Sequence, residues 1–427
     1  MSGLRGRTVA GLADQALVAL TTAGTGLLGT SVLPVGEAGL MLYAVAVLVF
    51  VQGLGRAFVG DVLLAHVPRF ADAGDRRRQF ANAHATSATL GLLGVVVLLG
   101  GWLLGPQHYV ADLVWCAPFV PSILLQDLAR YTYQSRGRQS QALIIDGCWV
   151  VVQGACVAAL LLTGHVGGGP LIACWGVGAT AGALVFYART RINPFAGRPA
   201  RWLHDTRHLL GWFTGTGVLA QLTTLLIASL VQGILSATAY SGLRLVQIVV
   251  LQPAQSFTMA LNGLLVPRAS ALAGAHDVAG LRRQTRTVLA VNAAIGACIL
   301  AVAVPLAHPL LSLYRSGAYL AVAAIALPIA LQAGLYLLQI PFTVAMRGMH
   351  RARMLFTQYL AYSVATLGGL VLGALLGGLP GAAWGLMSGA AIGTAVQASL
   401  YRIAVRALAT VAGTPGAVAG GSGALAG

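Results

Sequence analysis

The sequence predicts an all-α polytopic membrane protein, with twelve transmembrane helices arranged as two parallel-repeat six-helix bundles. Three observations carry this. Of the 427 residues, 57% are hydrophobic and 8% charged, where soluble domains carry about 25% charged residues. Apolar runs long enough to cross a bilayer, roughly 20 residues each, recur from end to end. Short motifs of the first half return in the same order in the second.

Cutting the chain at its charged and Gly/Pro-rich breaks gives spans near 9–33, 40–64, 83–105, 112–133, 142–163, 170–188, 209–233, 239–265, 287–307, 320–345, 356–377 and 381–401. Lipid satisfies no backbone group, so each span is a helix or part of a closed barrel. Runs of this length without period-two alternation select helices. The first span follows "MSGLRGRTVAGLADQALVAL", which is basic at its start but lacks a cleavage site and is interrupted by Asp14. It reads as a retained helix, not a signal peptide.

The second span leads into "HVPRFADAGDRRRQF" (66–80) and the eighth into "LVPRASALAGAHDVAGLRRQTR" (265–286), so Val67-Pro68-Arg69 and Val266-Pro267-Arg268 stand 199 residues apart. After the fourth and tenth spans, "YTYQSRG" (131–137) answers "FTVAMRG" (342–348) at an offset of 211. At the sixth and twelfth, "GGGPLIACWG" (167–176) answers "GGLPGAAWG" (377–385), pairing Trp175 with Trp384 at 209. Six spans per half give both halves the same orientation, a parallel repeat about an axis along the membrane normal. Each Val-Pro-Arg reads as a helix end at the cytoplasmic interface, with arginine anchoring it to head groups. The expected units are an N-terminal bundle over 1–188, a cytoplasmic linker over 189–208, a C-terminal bundle over 209–405 and a disordered Gly/Ala-rich tail over 406–427.

The net charge of +16 comes from 26 arginines and no lysine. Twenty-three of these fall in alternate loops or at their edges, Arg315 falls in an opposite loop, and Arg56 and Arg244 fall within spans. That is the positive-inside pattern. It places both termini in the cytoplasm and makes the basic excess a surface for anionic inner-leaflet lipids, with no nucleic acid as partner. Cys116, Cys148, Cys156, Cys174 and Cys298 all lie in apolar spans and form neither a disulfide framework nor a metal set. His204 and His208 flank Asp205 in the linker without a third ligand, which points to interfacial solvation. No cofactor or metal is expected.

Arg56 in "VFVQGLGRAFVG" sits about eight residues, roughly 12 Å, from the inner end of its span. Intramembrane arginine costs about 2.5–3.5 kcal/mol on insertion scales, so it should face a cavity or a partner. The cavity reading makes it an anion-binding residue with Gln52 one turn away; the structural reading pairs it with Asp14 or Asp61. Arg244, Gln247 and Gln255 fall on one face of the eighth span, and Pro253 should bend that helix. Asp14 could also couple transport to a proton. Asp61 and Asp146 read as interfacial, and Asp127 has Arg130 as a local partner.

Further stretches carry a resemblance: "DQALVALTTAGTGLLG", the Val-Pro-Arg exits, "LLSLYRSGAYLAVAAIALPIALQAG", "MRGMHRARM" and "GGLPGAAWGLMSGAAIGTA". From about residue 8 to 405 the chain resembles the polysaccharide-unit flippases of the multidrug, oligosaccharidyl-lipid and polysaccharide exporter superfamily. The resemblance implies a central cavity lined by spans 1, 2, 7 and 8 and alternating access. It also implies export of an isoprenoid diphosphate-linked saccharide across a bacterial plasma membrane, with a polysaccharide polymerase or glycosyltransferases as neighbours. The chain departs from the family in having only two intramembrane arginines where some relatives have a richer basic lining. Its twelve spans also argue against the fourteen-span lipid II flippase branch. The alternatives are a cation-coupled drug or metabolite exporter of the same superfamily and a major facilitator transporter. An enzyme is disfavoured, because outward loops of about a dozen residues leave little polar surface to hold reactants and no Ser/His/Asp set, carboxylate pair or phosphate loop occurs.

Overall fold

The computed structural model describes residue 17 and residues 21–67, 70, 72–106, 110–207 and 210–412. The described residues are helical with short connections and contain no strand. By length and apolarity alone, eight of their helices are able to cross a membrane, the last one a long bent element.

In the first half, α1 covers 21–32. Helix α2 joins Val35–Gly55, a π-helical turn Arg56–Gly60 and Asp61–His66. Helix α3, Ala73–Leu104, begins where the Asp72 side chain accepts from Asp75 N. Its polar first turns extend beyond the apolar run, because arginines outside lipid still propagate a helix. Helix α4, Val120–Ser135, follows a 3₁₀ turn containing Pro118. Helix α5, Gln139–Thr163, stops at Gly164, whose φ of 70° is the left-handed cap that glycine adopts without strain. Helix α6, Gly168–Thr190, ends at Arg191. The linker then forms a short helix, Pro199–Thr206, whose Trp202 is fully buried against the first half.

In the second half, α7 is Trp212–Ile234. Helix α8 joins Ala237–Val246, a π-helical turn Gln247–Leu251 and Gln252–Gly274. Helix α9 is Val278–Leu313, capped by Asp277; α10 is Ala326–Gly348; α11, Ala352–Ala412, breaks at Gly377 and Gly378.

The bend expected at Pro253 appears as the π turn just before it. Proline lacks the N–H that would bond Val249, and widening the preceding turn redistributes those carbonyls. The Val266-Pro267-Arg268 expectation needs correction. Helix α8 runs through this segment to Gly274. Gln284 Nε2, donating to Leu265 O at 3.3 Å, supplies a side-chain bond beside the proline. In the first half Val67 does follow the helix end, while Pro68 and Arg69 lie outside the described residues.

The glycine motif has a packing cause. A Cβ on Gly381 would stand 2.0 Å from Gly373 O, and one on Gly385 would stand 2.0 Å from Gly369 O. The two arms of α11 therefore touch backbone to backbone through glycines four apart, the small-residue mode of helix association in lipid. Trp175 and Trp384, matched by position in sequence, differ in setting: 3% and 42% exposed.

Contacts across the halves run along α2. Its N-terminal end packs on the N-terminal segment of α8, where a Cβ on Gly39 would strike Ala237 O. It keeps company with α7 down to Ala57, whose carbonyl accepts from Thr214 Oγ1 at 3.2 Å. Beyond its π turn, α8 packs mainly on α10 instead. The halves are further tied by Tyr314, whose hydroxyl lies 2.8 Å from Thr30 Oγ1 and donates to Leu27 O at 3.0 Å. Tyr319 hydrogen-bonds Ser241 at 2.8 Å.

Candidate functional site

Helices α2 and α8 each contain a π turn, and each turn begins at a residue that the sequence singles out. Arg56 opens the turn in α2, and Gln247 opens the turn in α8. Such turns arise when one residue is inserted into a helix, and they concentrate at functional positions.

Around Arg56 the charges form an alternating ladder. Arg56 Nε and Nη2 donate to Asp127 Oδ2 and Oδ1 at 2.7 and 2.8 Å. Arg130 Nη1 reaches the same Oδ1 at 3.2 Å, and Arg130 Nε lies 2.9 Å from Asp146 Oδ2. Gln126 Nε2 donates to Asp146 Oδ1. The ladder links α2, α4 and α5 and is neutral overall, two arginines against two aspartates. Its inner members are almost wholly buried, while the Arg56 side chain is 26% exposed. Arg56 borders a crevice with Gly55, Ser87, Leu124 and Tyr131. Burying four charges is tolerable because each meets a hydrogen-bonded opposite.

Arg244 is different. It sits half-buried on the N-terminal segment of α8, near Tyr240, and no carboxylate pairs with it among the described residues. Acidic residues are scarce in this half: Asp277, the cap of α9, is the only one after residue 208.

No protein-family model matches the chain, and no curated protein matches it in sequence. Solved structures do. An inward-facing multidrug resistance MATE family transporter of the MOP superfamily superposes with a TM-score of 0.75 at 12% identity, over 94% of this chain and 99% of that one. An outward-facing MATE structure gives 0.68 at 12% identity, over 96% and 97%. The lipid II flippase MurJ, inward closed, gives 0.72 at 12% identity, over 96% and 89%. A MOP superfamily transporter from Pyrococcus furiosus, described by the reverse polarity of its binding pocket, gives 0.67 at 11% identity, over 95% and 96%.

The fold is that of the MOP superfamily. Within this MOP fold, Arg56 has an ion-pair partner among the described residues, and it is not Asp61. The partner is Asp127, 71 residues away on α4. Asp14 lies outside the described residues. Asp61 is exposed one helical turn after Arg56, with the Tyr131 hydroxyl within hydrogen-bonding reach. Asp146 is not interfacial: it is wholly buried, because Arg130 and Gln126 meet both its oxygens. Gln52 is buried one turn before Arg56, beside Gly53, which packs on Gln221 of α7.

The single polar face expected for Arg244, Gln247 and Gln255 does not form. Gln247 is buried and Gln255 exposed, because the intervening π turn inserts a residue and rotates the rest of the helix by roughly 100°. His204 contacts Asp205 at 3.4 Å, and His208 lies outside the described residues. No cluster of three His, Cys, Asp or Glu occurs among the described residues. The sequence carried no signal for the Arg130–Asp146 rung or for the Tyr314–Thr30 contact, since both join helices whose separation in sequence has no period.

Proposed function

We propose that this protein carries an isoprenoid diphosphate-linked saccharide from the cytoplasmic to the outer leaflet by alternating access, for cell-envelope polysaccharide synthesis in a bacterial plasma membrane. It does so as twelve spans in two parallel repeats with both termini cytoplasmic. The ordered return of Val-Pro-Arg, the Arg-Gly turn and the Gly/Trp motif in the second half supports the repeat. The observation that carries the substrate class is the pair of intramembrane arginines: Arg244, which pairs with no carboxylate among the described residues, and Arg56, which is partly exposed, with one acid after residue 208.

A diphosphate crossing hydrocarbon needs its charge met, and guanidinium forks meet it in bidentate fashion. Asp127 occupies the Arg56 fork. The head group competes for that fork, and Arg130 retains Asp127 when the exchange occurs, so no buried carboxylate is left alone. A membrane potential negative inside favours outward movement of the anion by roughly 2.3 kcal/mol per charge per 100 mV.

Cation-coupled export of a drug or metabolite is the second reading. Its support is the buried Asp127 and Asp146 in the first half, which would have to lose their arginine partners to accept a proton or cation. Thermal stability of the purified protein separates the two. Stabilisation by an isoprenoid diphosphate saccharide that weakens in Arg56→Gln supports the flippase; stabilisation by organic cations alone supports the exporter.

A further inference from the structure

Three segments distant in sequence bring arginines together at the cytoplasmic end of the first half. Arg76 and Arg77 lie in the first turns of α3, Arg136 and Arg138 in the turn between α4 and α5, and Arg191 at the end of α6. Arg76 Nη1 donates to Phe70 O at 3.2 Å, and Arg77 Nη2 donates to Arg191 O at 3.4 Å. Arg136 Cζ stands 4.2 Å above the Phe80 ring. These contacts orient the guanidinium groups without neutralising them.

Three acids lie near the start of α3, one of them Asp205 of the linker helix, which accepts from Gln79 Nε2 at 3.2 Å and faces Arg201 and His204. Asp75 faces Arg78 at 3.7 Å, and Asp72 caps the helix and faces Arg76. Neither forms an ion pair with Arg136 or Arg138 among the described residues. Burial, then the positive fields of Arg138, Arg76 and Arg77, pull the Arg136 guanidinium below its ordinary value, with Tyr133 opposing.

Retention of arginine on the inner side explains why these residues are here, but not why they converge. Long, flexible side chains of like charge would spread into solvent unless an anion rewarded their approach. Above the cluster, α3 presents Leu92, Leu93, Val96 and Val97 outward, and α5 presents Val151 and Leu162. The cluster therefore lies at the lipid-facing perimeter, away from the seam of α2, α7 and α8.

We propose that this arginine cluster binds the phosphate of an anionic phospholipid head group in the inner leaflet. Planar guanidinium groups from the α3 start and the α4–α5 turn, with Arg77 held by the Arg191 carbonyl, match a phosphate's oxygens better than scattered point charges do. The bound lipid then joins the α3 start, the α4–α5 turn and the α6 end into one rigid base for the first half.

The test is native mass spectrometry with thermal stability on the full chain in detergent, titrated with phosphatidylglycerol, phosphatidylcholine or inorganic diphosphate. Phosphatidylglycerol should bind and stabilise the wild type, and affinity should fall about tenfold in Arg136→Gln/Arg138→Gln. Arg402→Gln/Arg406→Gln, exposed arginines of the other half, should bind as the wild type does. If the double variant fails to fold, the exposed Arg138→Gln alone should still weaken binding in the same direction. Equal phosphatidylglycerol affinity in the cluster variants overturns the proposal, as does equal stabilisation by phosphatidylcholine. Stabilisation by inorganic diphosphate that matches the phospholipid overturns its assignment to lipid.

Discussion

Arg56 and Asp127 meet through two parallel hydrogen bonds of 2.7 and 2.8 Å, joining α2 to α4 inside the first half. The pair occupies a position where an unpaired charge of either sign would be costly. Arg130 shares Asp127 and also holds Asp146, so the arrangement tolerates a change of partner at its exposed end better than at its buried end.

Removing the shared acid should therefore cost most. Asp127→Ala strands Arg56 and leaves Arg130 with Asp146 alone, and breaking a buried pair typically costs about 3–5 kcal/mol. Arg56→Gln should cost clearly less, because Arg130 still satisfies Asp127. Thermal unfolding in detergent compares the two. Equal losses would mean that Arg130 gives no backup.

Asp127→Asn should act differently on ligand binding. The amide fills the same space but competes less for the Arg56 fork, so an anionic lipid diphosphate should bind several-fold tighter than to wild type. Unchanged or weaker binding, with wild-type binding intact, would show that Asp127 does not compete with the head group.

Tyr314, just past α9, ties the second half to Thr30 and Leu27 of α1. Tyr314→Phe removes hydrogen bonds worth about 1 kcal/mol net, which moves a two-state population by about fivefold. Spin-label distances across the outer face should show more of the outward-open state. An unchanged distance distribution would place the outer closure elsewhere.

In the connection between α3 and α4, burial first and then Glu37 push the Asp112 carboxyl up to about 6. The folded state thus holds a proton that the unfolded chain releases near 3.8. Between these values the native state binds more protons, so stability falls as pH rises. Thermal midpoints measured between about pH 4.5 and 7.5 should decline in wild type, and less steeply in Asp112→Asn.

Leucine at Gly381 should disrupt the contact between the arms of α11. No space exists for a Cβ against Gly373 O, so the arms must separate at a cost of about 1–3 kcal/mol or more. Reduced yield or a lowered unfolding temperature would register this.

Much of the architecture was legible because lipid imposes a simple grammar: apolar length, arginine on one side, glycine where helices touch. Arg56 and Gln247 stood out as polar residues in apolar runs, and each opens a π turn. The partners of Arg56 and Asp146 were not legible. Ion pairs between helices leave no periodic trace, and Asp127 offered a nearer explanation in Arg130. Gln255 was misplaced because a helical wheel assumes a constant turn, which the π segment breaks. Pro267 was read as a stop because its missing hydrogen bond was visible in sequence and the neighbouring Gln284 contact was not.

The most direct measurement is the affinity of purified protein for an isoprenoid diphosphate saccharide, compared between wild type and Arg244→Gln with the dephosphorylated lipid as control. Diphosphate-dependent binding that falls about tenfold or more in a folded Arg244→Gln variant is the predicted result. Equal affinity in the variant, or equal affinity for the uncharged lipid, would contradict intramembrane arginines that read the head group.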